Sequence, residues 1–458
     1  MRNRGLVTAT AIGIAIMAVA LVGLATLQYA LPAHYYAIMG LGRENVPHFH
    51  RNLHLPAFPV LSIPTFLLCF RLLLIAAWLG YAAAVLAALR GGIPRARTLL
   101  LLMIPLAAVI AVWWPASLSA DVYGYVGFGR MVVYHGMNPY THTPADLCAV
   151  GDQCGPFSRF RHPSIYGPVW TLLSVVIVWI LKSAGLWWQV VAMKLLAAAS
   201  LVLMALVGSR IAERFRPGTG DLTLLAIGLN PLFLIEGPGN GHNDMLMMLL
   251  LLTGVLFLMK KQHITGSLAL GASIGIKFIS VLVVPWLVWE YTRGRNALGR
   301  ASLVAVSCLL ALAPCVVCYL PFWHGTALFQ GAAHRWHWGM SWSAAAKQTT
   351  LTYWLTRGLP DVWMDRVALF LTGPIPVLVV SLALSLWILR KGREGSALTA
   401  WIILAGCLAL LTMGVPFPWY LTWAWAASLV RWDRAHIALS AAYFVIGFVC
   451  TFAYTIPR

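Results

Sequence analysis

SADVYGYVGFGRMVVYHGMNPY, residues 119–140, follows directly on an apolar run and is rich in tyrosine and glycine. Its polar side chains include Asp121, Arg130, His135 and Asn138. Backbone that leaves a membrane span must find its hydrogen-bond partners in water or in protein, so this segment lies against one of them. Because only 13 of the 458 residues are acidic, an aspartate at the start of such a segment indicates a functional role.

The composition of the whole chain predicts a membrane protein with many spanning segments. Hydrophobic residues make up 60% and charged residues only 10% of the chain, and the mean hydropathy is +0.81, whereas charged residues are about 25% of a soluble domain. The net charge of +19 comes from short Lys/Arg clusters between apolar segments rather than from a basic run. That spacing follows the positive-inside rule, so the charge indicates membrane orientation, with some attraction for anionic lipid or substrate, and no nucleic-acid partner.

Apolar runs of about 20 residues are long enough to cross the hydrocarbon core of a membrane. The clear ones are 6–31, 60–89, 98–116, 187–209, 221–237, 244–259, 301–320, 366–390, 397–414 and 435–454. The first is interpreted as a signal-anchor rather than a cleaved signal peptide, because it is longer than the apolar core of such a peptide. Shorter candidates lie at 264–292 and 418–431.

With the basic clusters on the cytoplasmic side, the chain is predicted to form one membrane domain over 1–458 with about 13 transmembrane helices. Large outer loops are expected at 117–165 and 321–365. A spanning segment at 166–185 would place the basic cluster around Arg210 outside, so an interfacial or re-entrant helix is predicted there. A single span over 264–292 would export three arginines, so two short helices meeting near 275–277 are predicted instead.

A second polar group, GPGNGHNDMLM (237–247), is predicted to lie on the same outer face as Asp121. The glycines allow close backbone approach. One alternative is that Asn243 or Asp244 only caps the next helix, and Asp121 can equally be a plain helix-end residue. As a partly desolvated carboxylate at the membrane boundary, Asp121 is interpreted as a general base for a hydroxyl nucleophile. The hydrogen-bonding side chains of the second group are Asn240, His242, Asn243 and Asp244.

Lys277 lies at the predicted break in GASIGIKFISVLVVP, residues 271–285. A lysine between apolar helices is costly and usually faces a partner or a cavity, and the alternative is a lysine whose charge reaches the interface. At the ends of two half-helices it would suit a phosphate. Lys194 and Arg71 leave the same two interpretations open.

Metal and cysteine chemistry remain open at this stage. A divalent metal held by Asp121, Asp244 and His242 is one option, although scattered oxygen and imidazole ligands are not specific. Cys148 and Cys154 share a polar loop predicted to lie outside, where an oxidising compartment would permit a disulfide; both the bonded and the free state are left open.

The second predicted outer loop is rich in histidine and tryptophan over 322–342. Tryptophan planes stack on sugar rings and also lie at membrane interfaces, so both interpretations stay open. His334 and His337 alone do not make a zinc site, and the loop also contains His324 and Arg335.

Four segments carry a resemblance to a known family: DVYGYVGFGRMVVYHGMNPY (121–140), YGPVW (166–170), NPLFLIEGPGNGHNDMLM (230–247) and GIKFISVLVVPWLVW (275–289). In their order and spacing the chain resembles the polyprenol-phosphomannose-dependent alpha-mannosyltransferases of the mycobacterial mannosyltransferase B type. These are integral-membrane glycosyltransferases of the GT-C fold.

The resemblance implies an all-α polytopic membrane protein of GT-C architecture, in the bacterial inner (plasma) membrane. It implies inverting transfer of a hexose, mannose, from a polyprenyl-phosphate sugar to a glycan or lipid-linked acceptor at the outer face. Asp121 matches the base that acts on the acceptor hydroxyl, Asp244 matches an acidic residue of the donor or metal pocket, and Lys277 matches a lysine at the donor phosphate. The remaining residues predicted to bind donor or acceptor are Tyr123, Arg130, Asn138, Tyr166, Asn240, His242 and Asn243.

Two rival functions are weighed against this one. A transporter or flippase of a lipid-linked sugar would share the basic charge and the buried lysine, but the unequal loops and the absence of a repeated first-half pattern count against it. An acyltransferase would need a nucleophile arrangement that these residues do not form. The identity of the transferred sugar, the metal dependence, the acceptor and the linkage are left open by the sequence, and the family does not fix which sugar is moved.

Overall fold

The computed structural model describes residues 2–27, 30, 59–91, 97–114, 119–152, 154–292, 294–329, 374–390, 394–411 and 418–454. Within these ranges the regular structure is helical and contains no strand, in agreement with the predicted all-α class. The α-helices are α1 (Arg2–Leu27), α2 (Ile63–Gly91), α3 (Arg97–Val112), α4 (Asp121–His135), α5 (Pro168–Ile180), α6 (Gly185–Phe215), α7 (Gly220–Gly228), α8 (Pro231–Leu234), α9 (Asp244–Met259), α10 (His263–Ile276), α11 (Val284–Tyr291), α12 (Ala297–Tyr319), α13 (Pro374–Arg390), α14 (Ser396–Leu411), α15 (Leu421–Ser428) and α16 (Arg434–Tyr454).

Five of the described helices are long and apolar enough to cross a membrane, as expected of a multi-pass membrane protein. They are α1, α2, α6, α12 with its continuation to Phe322, and α16. A sixth span results if α7 and the segment Pro231–Gly239 are counted together across their 49° bend. The predicted count of about 13 spans is not confirmed, because several apolar runs form helices shorter than a bilayer needs.

The break between α7 and α8 lies at Asn230. The residue before a proline avoids the helical region, and Asn230 is extended, with φ −67° and ψ 122°. Its side chain accepts a hydrogen bond from the backbone N–H of Leu232 at 3.0 Å and donates one to the hydroxyl of Tyr81 at 3.3 Å. The segment predicted as one span over 221–237 is therefore bent, and its second half leads through a π-helical turn (Ile235–Gly239) into the polar loop 240–243.

The predicted division of 264–292 into two helices is confirmed. α10 ends at Ile276, Lys277 is extended, and α11 begins at Val284 after a 3-10 turn. Lys261, just before α10, donates a hydrogen bond to the carbonyl oxygen of Tyr291, the last residue of α11, at 3.4 Å. The segment therefore begins and ends on one side of the molecule and places Lys277 at its far end.

Helix α5 has 13 residues, fewer than the about 20 that cross a bilayer, and its interfacial or re-entrant placement stays a prediction. Its start is tied to the break after α10, because the backbone N–H of Gly167 donates to the carbonyl oxygen of Ile276 at 3.1 Å. A Cβ atom at Gly167 would lie 2.3 Å from the carbonyl oxygen of Gly275. Only glycine permits this approach, which holds Tyr166 near Lys277.

The two predicted outer loops are only partly described. In the first, α4 occupies Asp121–His135 and Cys148 and Cys154 form a disulfide. Of the second, the described part ends at residue 329, and His334, Arg335 and His337 lie outside the described residues. The loops meet where the Asn138 amide donates to the carbonyl oxygen of Phe322 at 2.9 Å.

Candidate active site

Asp121 is the first residue of α4, not a residue of an irregular loop. The positive end of a helix dipole stabilises a negative charge in the first turn, so this position favours the ionised carboxylate. The backbone N–H of Asp121 donates to the Ser119 hydroxyl at 3.3 Å. The Asp121 side chain is 31% exposed, which leaves it accessible to a substrate.

Tyr166 links Asp121 to Lys277. The Tyr166 hydroxyl donates to Oδ2 of Asp121 at 3.3 Å, and Lys277 Nζ lies 5.9 Å from the centre of the Tyr166 ring. Tyr125 packs edge-to-face on the same ring at 5.0 Å. Tyr166 therefore lies close to two other predicted site residues, Asp121 and Lys277.

Asp244 and Lys277 form a buried ion pair, with 2.7 Å between Nζ and Oδ1. The indole N–H of Trp423 donates to the same Oδ1 atom. The ammonium group of Lys277 also lies 5.0 Å from the ring centre of Tyr420 and 5.5 Å from that of Trp423. Together with Tyr166 these rings enclose the cation, and cation–π attraction strengthens as a site is desolvated. Lys277 keeps 13% of its side chain exposed, whereas Asp244 is fully buried.

His242 lies between two carboxyl groups. Its Nδ1 atom is 3.7 Å from Oδ2 of Asp121, and its Nε2 atom is 3.5 Å from Oε2 of Glu236. The ring stacks on Trp419, with 4.2 Å between centroids and 20° between planes. Burial, together with the nearby charge of Lys277, lowers the pKa of His242 well below its usual range, so the imidazole is neutral at physiological pH.

Three consecutive residues carry buried polar atoms with no hydrogen-bond partner among the described residues. These atoms are both ring nitrogens of His242, Oδ1 and Nδ2 of Asn243, and Oδ2 of Asp244. Asn243 precedes α9, but its side chain makes no capping hydrogen bond, so the alternative of a plain cap does not describe it. Buried unpaired polar groups are rare and mark sites for water, ions or ligands.

The structure does not bring Arg130 and Asn138 into this cluster. Arg130 forms a bidentate pair with Asp152, at 2.6 and 3.1 Å, and donates to Gln189 at 3.1 Å. Asn138 holds a turn by accepting from the backbone N–H of Tyr140 at 3.0 Å. Both residues hold the first predicted outer loop in place.

The other predicted residues take different positions. Tyr123 packs against the hydrophobic core, and burial raises its pKa to about 12. The Asn240 amide donates to Oε2 of Glu236 at 2.9 Å. Lys194 donates to the carbonyl oxygen of Trp114, and Arg71 lies over the Phe452 ring at 5.4 Å. The residues that the structure places together are Asp121, Tyr166, Asn240, His242, Asn243, Asp244 and Lys277.

Several residues of the cluster were not singled out from the sequence. Glu236 is an acidic residue inside an apolar segment, which by itself marks a functional candidate. The aromatic residues come from PWYLTW (418–423), a stretch interpreted only as a short span. These aromatic residues are close enough in sequence to form a cluster. Nothing in the neighbouring sequence indicates that this cluster packs on the polar loop. The residues concerned are Glu236, Trp419, Tyr420 and Trp423.

The described residues contain no group of three His, Cys, Asp or Glu side chains placed to hold a metal ion. The metal site considered from the sequence combined Asp121, Asp244 and His242. In the structure, the Asp244 carboxylate pairs with Lys277 instead, so its charge is already matched by a cation.

Comparison with known proteins adds an independent line of evidence. A family model described as "Alpha-(1->6)-mannopyranosyltransferase, N-terminal domain" matches residues 12–293. The chain is similar to Alpha-(1->6)-mannopyranosyltransferase A of Mycobacterium tuberculosis, with 27% identity over 386 residues that cover 80% of this chain and 70% of the relative. It is also similar to the protein of that name from Corynebacterium glutamicum, with 29% identity over 196 residues, 42% of this chain and 38% of the relative. No solved structure matches the chain.

Proposed function

Since the chain belongs to the alpha-(1->6)-mannopyranosyltransferase family, we propose that it transfers mannose from a polyprenyl-phosphate donor to a glycan or lipid-linked acceptor at the outer face of the bacterial plasma membrane. We further propose the GT-C architecture for its helices. Membership of this family supports a mannosyltransferase activity. The polyprenyl-phosphate donor and the outer face of the membrane are what we propose beyond it.

The observation that carries the proposal is that Tyr166 contacts both Asp121 and Lys277. A partly exposed carboxylate suits a general base for an acceptor hydroxyl. A cation held in a desolvated aromatic cage suits a departing phosphate, where negative charge accumulates as the bond breaks. Transfer from a lipid phosphate needs both groups on opposite sides of one sugar.

In the proposed reaction, Asp121 takes the proton of an acceptor hydroxyl while the hydroxyl oxygen forms a bond to the anomeric carbon. The bond between that carbon and the phosphate oxygen breaks, and the electron pair leaves with the polyprenyl phosphate. A single displacement inverts the anomeric configuration. An ammonium group has three N–H donors, and Asp244 accepts from one of them, so Lys277 can bind phosphate without leaving Asp244.

The unpaired atoms of Asn243 and Asp244 supply the contacts that a sugar requires. An amide offers a donor and an acceptor, and a carboxylate oxygen accepts from a hydroxyl. We assign these atoms to hydroxyl groups of the donor mannose, because they lie beside Lys277 and have no hydrogen-bond partner among the described residues.

The outward orientation is supported by the positions of the basic residues and of the site at opposite ends of the helices. α3 begins at Arg97 and leads toward Asp121, and α7 begins beside Asp221 and leads toward His242; Arg97 and Asp221 pair at 2.9 Å. The pair and the site therefore lie at opposite ends of these elements. A disulfide is stable in an oxidising compartment, and the bond between Cys148 and Cys154 lies in the loop that follows α4.

The test is a transfer assay with purified enzyme in liposomes and radiolabelled polyprenyl-phosphate mannose. Asp121→Asn is expected to lower kcat by about 100-fold or more, as for loss of a general base. Asp433→Asn is the matched control, because Asp433 also lies at a helix start, accepting from the backbone N–H of His436 at 3.0 Å, and is 41% exposed.

Normal transfer by Asp121→Asn would remove the base assignment. If the wild-type enzyme transferred no sugar from any polyprenyl-phosphate donor, the flippase of a lipid-linked sugar would replace the present proposal. Movement of the labelled lipid between leaflets without transfer would then be the direct sign of that function.

A further inference from the structure

Glu236 is a buried carboxyl group that the proposed reaction does not use. Its side chain is 1% exposed and lies in the π-helical turn before the polar loop. Oε2 accepts a hydrogen bond from the Asn240 amide at 2.9 Å and faces Nε2 of His242 at 3.5 Å. No Lys or Arg among the described residues forms an ion pair with it. A carboxyl group in this setting needs a reason to be there.

His242 joins Glu236 to the proposed base. Its two contacts, 3.7 Å to Asp121 and 3.5 Å to Glu236, are slightly longer than hydrogen bonds. Contacts in ligand-free active sites are often long and shorten when the substrate binds. Trp419 covers one face of the ring, and this stacking keeps the ring in the plane in which each nitrogen faces one carboxyl group.

The chemistry of imidazole determines how the protons are arranged. A neutral ring has one N–H donor and one acceptor nitrogen. If Asp121 is ionised, Nδ1 must carry the hydrogen, because a lone pair facing a carboxylate would be repelled. Nε2 is then the acceptor, so the group facing it must donate. An ionised Glu236 has no proton to give, whereas a protonated one donates to Nε2 and still accepts from Asn240.

We propose that Glu236 and His242 are positioning residues for Asp121, with protonated Glu236 donating to Nε2 of His242 and Nδ1–H of His242 donating to Oδ2 of Asp121. This inference rests on the proposed function, in which Asp121 is the base. Tyr166 donates to the same Oδ2 atom, so both interactions fix one oxygen of the carboxylate and orient the group toward the acceptor.

The protons balance through the reaction. Before transfer, Asp121 carries the negative charge, His242 is neutral and Glu236 holds its proton. After transfer, the acceptor proton is on Asp121 and the negative charge has left with the lipid phosphate; His242 and Glu236 are unchanged. The two residues therefore hold the base and do not carry the proton away.

Infrared spectroscopy tests the protonation of Glu236 directly. The wild-type protein is expected to show the carbonyl-stretch band of a protonated carboxyl group at neutral pH, and Glu236→Gln is expected to remove it. Glu290→Gln is the matched control, since Glu290 is also buried but accepts from the backbone N–H groups of Gly395 and Ala397. An unchanged band in Glu236→Gln would overturn the proposal.

Kinetics test the positioning. Glu236→Gln retains an N–H donor toward Nε2, with the Asn240 amide rotated to accept, and is expected to keep most of its transfer. Glu236→Leu has no donor and is expected to lower kcat by about tenfold, as for loss of one hydrogen bond, with KM for the donor unchanged. The acidic limb of the pH profile of Glu236→Leu should move to higher pH. Without a donor to Nε2, the Nδ1–H group of His242 is a weaker donor and stabilises ionised Asp121 less.

The pH profile is interpreted against every titratable or charged side chain that faces His242 or Asp121 in this cluster. These are Glu236, Tyr166, Tyr125, Asp244 and Lys277. Only the Glu236 variants change a group that contacts Nε2. A control variant, Glu290→Leu, is expected to reduce thermal stability without moving the pH profile.

A double variant separates positioning from a general loss of packing. His242→Leu removes the residue through which Glu236 acts on Asp121. Adding Glu236→Leu to that variant should therefore cause no further fall in kcat. Additive losses, or a Glu236→Leu enzyme with wild-type kcat, would overturn the positioning while leaving the mannosyltransferase intact. If instead the wild type transfers no mannose, the proposed function fails, and the infrared band still reports whether Glu236 is protonated.

Discussion

The two ends of the helices use their acidic side chains in different ways. At the end with the basic clusters, Glu213 accepts from the backbone N–H groups of Gly218 and Gly220, at 2.9 and 2.7 Å, and Glu290 similarly caps the start of α14. At the other end, Asp244 keeps a buried oxygen without a described partner, and His242 faces two carboxyl groups across contacts longer than hydrogen bonds.

This difference separates polar groups that hold the fold from polar groups held for chemistry. A buried acceptor that caps a helix stabilises the protein, whereas a buried acceptor left unpaired destabilises it by about 1–3 kcal/mol. A folded protein keeps such groups where a ligand completes them. The contrast predicts that substitutions of the site residues should lower transfer by more than their effect on stability explains, and that substitutions at the basic end should affect stability alone.

The largest expected effect comes from Lys277→Met. Removing the cation leaves Asp244 buried without its partner, which is expected to cost about 3–5 kcal/mol, and it also removes the proposed phosphate contact. The double variant Lys277→Met with Asp244→Asn removes both charges and should recover most of the stability without recovering transfer. Thermal unfolding in detergent and the transfer assay measure the two effects. Recovery of transfer by the double variant would contradict a phosphate role for Lys277.

The next largest effect is expected from Gly167→Ala. The new Cβ atom would meet backbone at Gly275 at 2.3 Å, so α5 must move away from the break after α10, with a cost of about 1–3 kcal/mol. Tyr166 would move with it, and kcat should fall. Gly5→Ala is the control: nothing lies within 4 Å of a Cβ there, and alanine in a helix is expected to stabilise by about 0.5–1 kcal/mol. Unchanged transfer by Gly167→Ala would show that Tyr166 does not position the base.

Much of the site end follows from the sequence. Grouping the basic clusters on one side placed Asp121 and the loop around His242 at the other, and the same reasoning required the break at Lys277. The structure brings these residues together. The prediction could group these residues because each lies at the end of an apolar run, and the basic clusters predict the direction of each run.

The partners within the cluster do not follow from local pattern. Trp423 reaches Asp244 across 179 positions of the chain, and no periodicity reports such a contact. Arg130 lies nine positions after Asp121 and is predicted to bind donor or acceptor, whereas in the structure it pairs with Asp152 at 2.6 Å. The bend at Asn230 was signalled by the following proline, but hydropathy alone favoured one straight span.

A smaller effect is expected from removing the disulfide with Cys148→Ser and Cys154→Ser. Closing a short loop of this kind is expected to contribute about 2 kcal/mol. The loop holds Asp152, which pairs with Arg130 and lies 3.2 Å from His135 on α4, so the bond stabilises the helix that carries Asp121. Transfer by the folded fraction should remain near that of the wild type. If kcat per folded molecule fell below that of the wild type, the loop would contribute to the site directly and not only through the stability of α4.

The smallest effect is expected from Arg97→Ala, at the basic end. Arg97 and Asp221 pair at 2.9 Å, but their side chains are 49% and 28% exposed, and exposed ion pairs contribute less than about 1 kcal/mol. Lys277 and Asp244 pair at 2.7 Å, nearly the same distance, so distance alone would predict similar effects. Burial is what differs between the two pairs. Equal stability losses in Arg97→Ala and Lys277→Met would therefore refute the distinction between the two ends, because they would show that burial adds nothing to the cost of leaving Asp244 unpaired.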